Sequence, residues 1–489
     1  MHADAFTSLF GFAAAALQLV IVAGVVLRVI LTRHPPGSSF AWILITTVLP
    51  YVGFALYLMF GERPLGRLRA RPLKKLLRQW LRQQARNPLV PLGPWPRNIA
   101  FGRNFIDLCT RLGGLPLATG SCVSLKPSAQ ASLDGIYEDV CRAKRSIDMA
   151  FYIFDPCGSA ARIKDALIAA AGRGVRVRLL VDDFGSRNFL RSQARQEMQD
   201  AGIEIASAMP MRFLRFFGLQ RADLRLHRKT VIIDDEIGYT GSFNLIDPDG
   251  YDASSIVGAW VDAMVRITGP AVLSLKRVWV YDWALQPDND LSDFQMQLDN
   301  WSIPNTGKAA TVCVPTGPYS EIDRSVHMVL AAINNAQSEL TIVTPYFVPN
   351  EAIASALINA ALRGIRVRLI APEQADSPLV NWAMRRYYDD LLTVGAEIYL
   401  YQQGLLHTKS IAVDGEFAVF GTLNLDNRSM HLNFELMMVI FEPNFMSELD
   451  ALNQSYIASS RRLRLHERLH RPLADRLKEG VCHLLSPLL

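Results

Sequence analysis

Hydrophobic positions run almost unbroken from Phe6 to Leu31, with Gln18 and Arg28 as the main interruptions, and again from Ser39 to Phe60. Each run is long enough for a helix that crosses a bilayer. The link between them, Thr32 to Ser38, carries Pro35, Pro36 and Gly37, the composition of a turn. The pattern predicts a membrane hairpin of two apolar helices over residues 1–62. It reads as retained rather than cleaved, because residues 1–5 hold no Lys or Arg and a second apolar run follows directly. A basic stretch then carries Arg63, Arg67, Arg69, Arg71, Lys74, Lys75, Arg78, Arg82 and Arg86 against the single acid Glu62. By the positive-inside rule this flank, and the chain after it, belong on the cytoplasmic side. Leu65, Leu68, Leu73 and Trp80 lie between these charges, so residues 63–114 read as a basic juxtamembrane linker resting on anionic lipid, or else as a solvated one.

Beyond residue 115 the pattern repeats itself. The run from Ala166 to Leu180 (ALIAAAGRGVRVRLL) is echoed from Ala356 to Ile370 (ALINAALRGIRVRLI). In both, an Ala/Leu helix stops at an Arg-Gly and an alternating Val-Arg-Val-Arg strand follows. Apolar strands, Ile147 to Phe154 and Leu340 to Val348, precede the two copies, so strand, helix and strand recur in order. That order predicts an α/β fold with parallel pairing through a crossover helix. The long period marks a duplicated domain: residues 115–290 and 307–460, packed about a pseudo-twofold axis. A Pro/Asn/Asp-rich linker, Pro287 to Thr306, joins the halves, and an amphipathic tail over 461–489 follows them.

Composition changes little of this picture. Apolar residues make up 50% of the chain, which agrees with a membrane attachment, and the net charge of +5 arises largely in the juxtamembrane stretch and the tail. Lipid headgroups are therefore the expected partner rather than nucleic acid, which would want a more extended basic channel. The six cysteines are scattered, with no CxxC pair and no zinc-like spacing, so a reduced compartment and no metal are expected.

The candidate chemistry lies once in each half. His227-Arg228-Lys229 leads through four residues to Asp234, and His407-Thr408-Lys409 leads likewise to Asp414. One such pattern arises by chance in roughly one chain in forty. Two in corresponding places, each followed at the same offset by Gly241-Ser242-Phe243-Asn244 or Gly421-Thr422-Leu423-Asn424, do not. His and Lys two apart on a strand share a face. A tight hairpin after the Asp returns the Ser or Thr and the Asn beside them. Two imidazoles, two ammonium groups, two hydroxyls and two amides suit a phosphodiester: one histidine attacks phosphorus while the other protonates the leaving alcohol, and the remaining groups support phosphate oxygens without a metal. Asp234 and Asp414 either join this set or only shape the hairpin. Glu435 and Asp262 are candidates to orient the histidines, the alternative being surface acids.

These residues resemble the phospholipase D superfamily, whose motif is H-x-K-x4-D followed by G-[ST]-x-N. Ala41-Trp42-Ile43-Leu44, Phe60-Gly61-Glu62-Arg63-Pro64 and the ending Leu484-Leu485-Ser486-Pro487-Leu488-Leu489 are similar to bacterial cardiolipin synthases. The resemblance implies two phospholipase D-like repeats behind a transmembrane hairpin at the bacterial inner membrane, with the catalytic part cytoplasmic. It implies attack on phosphatidylglycerol, loss of glycerol and capture of a phosphatidyl-histidine by a second phosphatidylglycerol, with His227 as nucleophile and His407 as general acid and base, or the reverse. No cofactor is implied, and a homo-oligomer is compatible with it. The second lipid, phosphatidylglycerol or phosphatidylethanolamine, stays open, as does whether the hairpin spans the bilayer or lies in one leaflet. Two departures stand out: a polar insert, Asp247 to Asp252, after Asn244, and Asp262 where the second half has Glu435. A hydrolase of the same superfamily shares these motifs, whereas an inactive membrane scaffold would be expected to have lost one.

Overall fold

The computed structural model describes residues 2–32, 36–61, 102–210, 223–248, 257–286, 303–318 and 323–486. The apex of the expected hairpin turn, most of the basic stretch, residues 211–222, part of the polar insert, most of the inter-repeat linker and the last three residues lie outside these. The chain divides into two units, residues 1–70 with 211–224 and residues 71–210 with 225–489.

In the first unit the first apolar run forms one helix, α1 (His2–Leu31). The second does not. It forms α2 (Pro36–Val48), α3 (Pro50–Leu56) and one wide turn, Tyr57–Gly61. Pro50 has no N–H to donate and Leu49 leaves helical geometry, so the helix breaks there. Gly53 allows α3 to lie against α2, since a Cβ there would meet the Thr46 backbone at 2.6 Å. Val25, Val29 and Tyr57 form a small apolar cluster, while Val20, Ile30, Phe40 and Val48 stay exposed. Among the described residues no helix is long and apolar enough to cross a membrane.

The second unit is built on one sheet of fifteen strands. In the first half these are β1 (Ala118–Lys126), β2 (Ser146–Phe151), β3 (Arg176–Asp182), β4 (Glu204–Ala208), β5 (Thr230–Ile233), β6 (Ile237–Gly241) and β7 (Met264–Thr268). The second half supplies β8 (Ala309–Thr316), β9 (Glu339–Val343), β10 (Arg366–Pro372), β11 (Glu397–Tyr401), β12 (Ser410–Val413), β13 (Phe417–Gly421), β14 (Glu435–Phe441) and β15 (Ser460–Leu463). The order is β15-β11-β10-β9-β12-β13-β14-β8-β1-β7-β6-β5-β2-β3-β4. Read outward from the antiparallel β1/β8 seam, the two sides match strand for strand, and β15 alone has no counterpart. A pseudo-twofold axis at that seam follows from the repeat.

The expected crossover is present in both halves. Helix α5 (Ala161–Gly172) leads from β2 to its parallel neighbour β3, and α7 (Glu351–Leu362) leads from β9 to β10. Each helix ends where Gly174 or Gly364 turns into the left-handed region, with Val175 or Ile365 donating back to the Ala170 or Ala360 carbonyl. Most strands are covered on both faces and buried along their length, which explains their continuous apolar runs.

Four elements add to the expected layout. Residues 102–113, assigned to the linker by composition, form α4 (Gly102–Gly113), whose Phe105, Ile106 and Cys109 sit in the core of the second half. Helix α6 (Ala271–Ala284) is buried almost throughout and covers the first half, where its Lys276 meets Asp148 beside the buried Arg178–Asp148 pair. The tail supplies β15 at the sheet edge and α9 (Leu473–Leu484), which packs on α8 (Pro378–Thr393).

Candidate active site

Both histidines stand just before a central strand. His227 precedes β5 and His407 precedes β12, and each is fastened by its backbone to the opposite half. The His227 N–H donates to the Phe434 carbonyl at 3.0 Å, and the His407 N–H donates to the Val261 carbonyl at 2.8 Å. Leu405 and Leu406 pair in parallel with Trp260 and Val261, and Leu226 bridges to Phe434. The motif strands are thereby stitched across the seam.

The side chains exchange partners in the same way. His227 Nδ1 lies 2.9 Å from both Glu435 oxygens, and His407 Nδ1 lies 2.7 Å from Asp262 Oδ1. Each half therefore supplies the carboxylate for the other half's imidazole. With Nδ1–H given to the carboxylate, Nε2 is the nitrogen left for chemistry. The rings pack against aromatics, Tyr152 edge-on to His227 at 5.1 Å and Trp260 beside His407 at 4.5 Å.

Burial dominates the electrostatics. It pushes the His227 imidazole down to about 4 and His407 down to about 3, against the pull of their carboxylates, with Lys229 and Lys409 pushing further in the same direction. At neutral pH both rings are uncharged. Burial also lowers Lys229 to about 8 and holds Lys409 well below the usual lysine range. Lys409 acts on His227 and Lys229 on His407, so the two motifs form one electrostatic site. Each ammonium donates to its own histidine carbonyl, Lys229 to His227 O at 2.8 Å and Lys409 to His407 O at 2.5 Å.

The hydroxyls turn toward the carboxylates and the backbone beside them. Thr422 Oγ1 donates to Glu435 Oε2 at 2.5 Å and accepts from the Leu436 N–H. Ser242 Oγ is held between the Ala263 N–H and carbonyl and helps keep Asp262 ionised. Both are committed to the carboxylates rather than directed at a phosphate. The amides anchor loops: Asn244 Oδ1 accepts from the Ile153 N–H, and Asn424 supports the buried Asp426.

Asp234 and Asp414 lie at the far ends of β5 and β12 from the imidazoles. Asp234 accepts from the N–H groups of Lys144, Arg145 and Ser146, and Asp414 from those of Gln337, Ser338 and Glu339. Both residues are left-handed, with φ of 55° and 53°, as are Asp235 and Gly415 after them, so each hairpin has the turn that matches strand twist. Of the two readings of these aspartates, the geometry matches the hairpin-shaping one.

Residues that sequence reasoning passed over also enter the site. Asn433 donates to Glu435 Oε1 at 3.2 Å. Buried Asp182, its carboxyl raised by burial to about 6, accepts the Leu226 N–H immediately before His227. Arg228 reaches the Glu435 carbonyl, Asp282 and the Thr316 carbonyl, bracing the first motif against the second half. Trp260 and Asn433 each stand two positions before a carboxylate, a spacing that would have placed them on its face of the chain.

The fold resembles the crystal structure of a phosphatidylserine synthase from Haemophilus influenzae Rd KW20, with a TM-score of 0.58 and 16% identity, covering 79% of this chain and all of that one. The chain is 36% identical to Cardiolipin synthase A of Proteus mirabilis (strain HI4320) over 489 residues, and 36% identical to that of Serratia proteamaculans (strain 568) over 482 residues, with 96% of both chains covered in each case. Residues 20–62 match a phospholipase D-nuclease N-terminal family. Residues 136–254 and 329–456, which contain both histidine motifs, match the family described as cardiolipin synthase, PLD-like domain. The chain belongs to the cardiolipin synthase family of the phospholipase D superfamily.

Proposed function

We propose that this protein is a phosphatidyltransferase that makes cardiolipin from two molecules of phosphatidylglycerol and releases glycerol. The observation that carries the reading is the reciprocal pairing of His227 with Glu435 and His407 with Asp262 in one buried, lysine-flanked site. In the first step His227 Nε2 attacks phosphorus, a P–N bond forms, and the P–O bond to glycerol breaks. The departing oxygen takes a proton from His407, whose imidazolium is favoured once a phosphodiester anion enters between Lys229 and Lys409. In the second step neutral His407 removes the proton from a primary hydroxyl of another phosphatidylglycerol. That oxygen attacks phosphorus and the P–N bond breaks, restoring His227. A site lined by apolar rings and facing lipid favours this alcohol over water.

The N-terminal apolar segments fit a membrane hairpin that fixes the catalytic unit to the cytoplasmic face of a bacterial inner membrane, the basic stretch after Phe60 supporting that orientation. The exposed residues of α1 and α2 favour burial in lipid, and the break at Pro50 favours a bent second arm. The test is to give the purified full chain labelled phosphatidylglycerol alone. Cardiolipin plus free glycerol is expected. Phosphatidic acid as the main product would replace the transferase reading with a hydrolase.

A further inference from the structure

Helix α9 presents an apolar stripe that its own fold does not cover. Leu473, Leu477, Val481 and Leu484, spaced four, four and three apart, lie on one face. They are 60 to 77% exposed, and Leu469, one turn earlier in the chain, is 69% exposed. The opposite face is locked down. Buried Glu479 accepts from Arg468 at 2.7 and 2.9 Å and pairs with Arg471, and both arginines bind Asp389 of α8. The helix is thus held rigidly with its leucines turned outward.

Charge borders the stripe on both sides, Arg476 along one edge and Lys478 along the other at 100° per residue. Beside it Trp382 lies against two cations, with Arg385 5.0 Å and Lys478 4.9 Å from its ring centroid. A cavity of about 500 Å³ opens at the base of the helix, lined among others by Arg386, Arg471 and Arg476 together with Leu469, Leu473 and Leu477. Residues 461–486 hold seven Lys or Arg against three acids. Apolar residues on the outer face, basic residues at its borders and a tryptophan at the polar boundary are the composition of a helix lying in an anionic membrane interface.

We infer that α9, with Leu469, is a second membrane contact, which rests the catalytic unit on anionic phospholipid through the leucine stripe and holds headgroup phosphates with Arg476 and Lys478. The inference rests on the reading of the protein as a phospholipid enzyme and adds to it a docking face that shares no residue with the histidine site.

The full chain carrying Leu477→Glu and Val481→Glu, reconstituted with vesicles of phosphatidylcholine and phosphatidylglycerol, is expected to show an apparent KM for vesicle phosphatidylglycerol raised about tenfold. Turnover of monomeric dihexanoyl phosphatidylglycerol should be unchanged, since the site is untouched. Equal loss on both substrates would overturn the inference, as would an unchanged KM. In a measurement that needs no turnover, bromine-labelled phosphatidylglycerol should quench a tryptophan fraction that disappears in Trp382→Phe. If no catalysis of any kind is found, that quenching still decides the docking face. Conversion of a dimer to a monomer by the double Glu variant, with no change in quenching, would instead assign the stripe to a second copy of the chain.

Discussion

The two halves agree most closely at the histidines and diverge in what supports them. In the second half Glu435 is gripped by His227, Thr422 and Asn433. In the first, the shorter Asp262 has His407 at 2.7 Å and the Ser242 hydroxyl beside it. The second hairpin turns on Asp414-Gly415, the first on Asp234-Asp235, where the second aspartate accepts a left-handed backbone and also meets Lys276 of the buried helix α6. Each half carries a helix after its last shared strand, α6 in the first and Pro443–Ala458 in the second, but only the second half extends its sheet, with β15. Positions that define the reacting geometry match across the axis, whereas packing and solvation around them differ. Two chemically unequal histidines can therefore arise from one repeated fold without any change in the motif.

The sharpest way to break this comparison is to remove each histidine in turn. His227→Ala and His407→Ala are each expected to lower kcat by about 10³-fold or more. A labelled phosphatidyl-protein trapped by rapid detergent denaturation at mildly alkaline pH should map to His227 only, and a label on His407 would reverse the roles. Next come the carboxylates. Glu435→Gln and Asp262→Asn should each cost about 10²-fold in kcat with little change in KM, because each fixes a tautomer without touching lipid. A rise in KM alone in either variant would remove it from that role.

The lysines separate by pH. Lys229 is lowered by burial to about 8, so its ammonium is present below that pH and lost above it, and kcat/KM should fall as pH rises through 8. In Lys229→Arg, whose guanidinium stays charged, the residual activity should lose that alkaline limb. A limb that stays in place would belong to another group.

Smaller effects belong to the hairpins. Asp414→Ala removes a carboxylate that accepts three backbone N–H bonds and should lower stability by about 2 kcal/mol in chemical denaturation. Specific activity of the folded enzyme should be retained. Abolished activity in a fully stable Asp414→Ala variant would return this residue to the catalytic set. Gly415→Ala should cost about 1 kcal/mol for a left-handed alanine, the smallest change of the series.

Much of the architecture was legible because it is periodic. The Arg-Gly helix stops, the Val-Arg strands and the twice-repeated histidine motif declare parallel crossovers and a shared site without reference to distant contacts. The second apolar run shows where local patterning falls short. Its hydrophobicity reads as a single helix, yet Pro50 removes one donor and Gly53 permits a close approach, so the run folds as two pieces. Helix α4 was hidden by its basic neighbours, since only long-range packing of Phe105 and Cys109 against the second half gives it away. At the site, Glu435 and Asp262 stood out as acids near the motifs. That each serves the other half's histidine depends on backbone pairing of Leu405 with Trp260 and Leu226 with Phe434, which no local spacing encodes. Ser242 and Thr422 turn instead to partners in their own half, through the pairing of each hairpin's return strand with the next strand.

The exchange of carboxylates across the seam has a consequence for biosynthesis. Glu435 is 208 positions downstream of the imidazole it orients. A ribosome that has finished the first motif has produced a histidine with no partner to set its tautomer, and Asp262 waits 145 positions for His407. Neither imidazole–carboxylate pair can form until the second repeat has been made. The site of a nascent chain thus stays incomplete until the second repeat closes on the first.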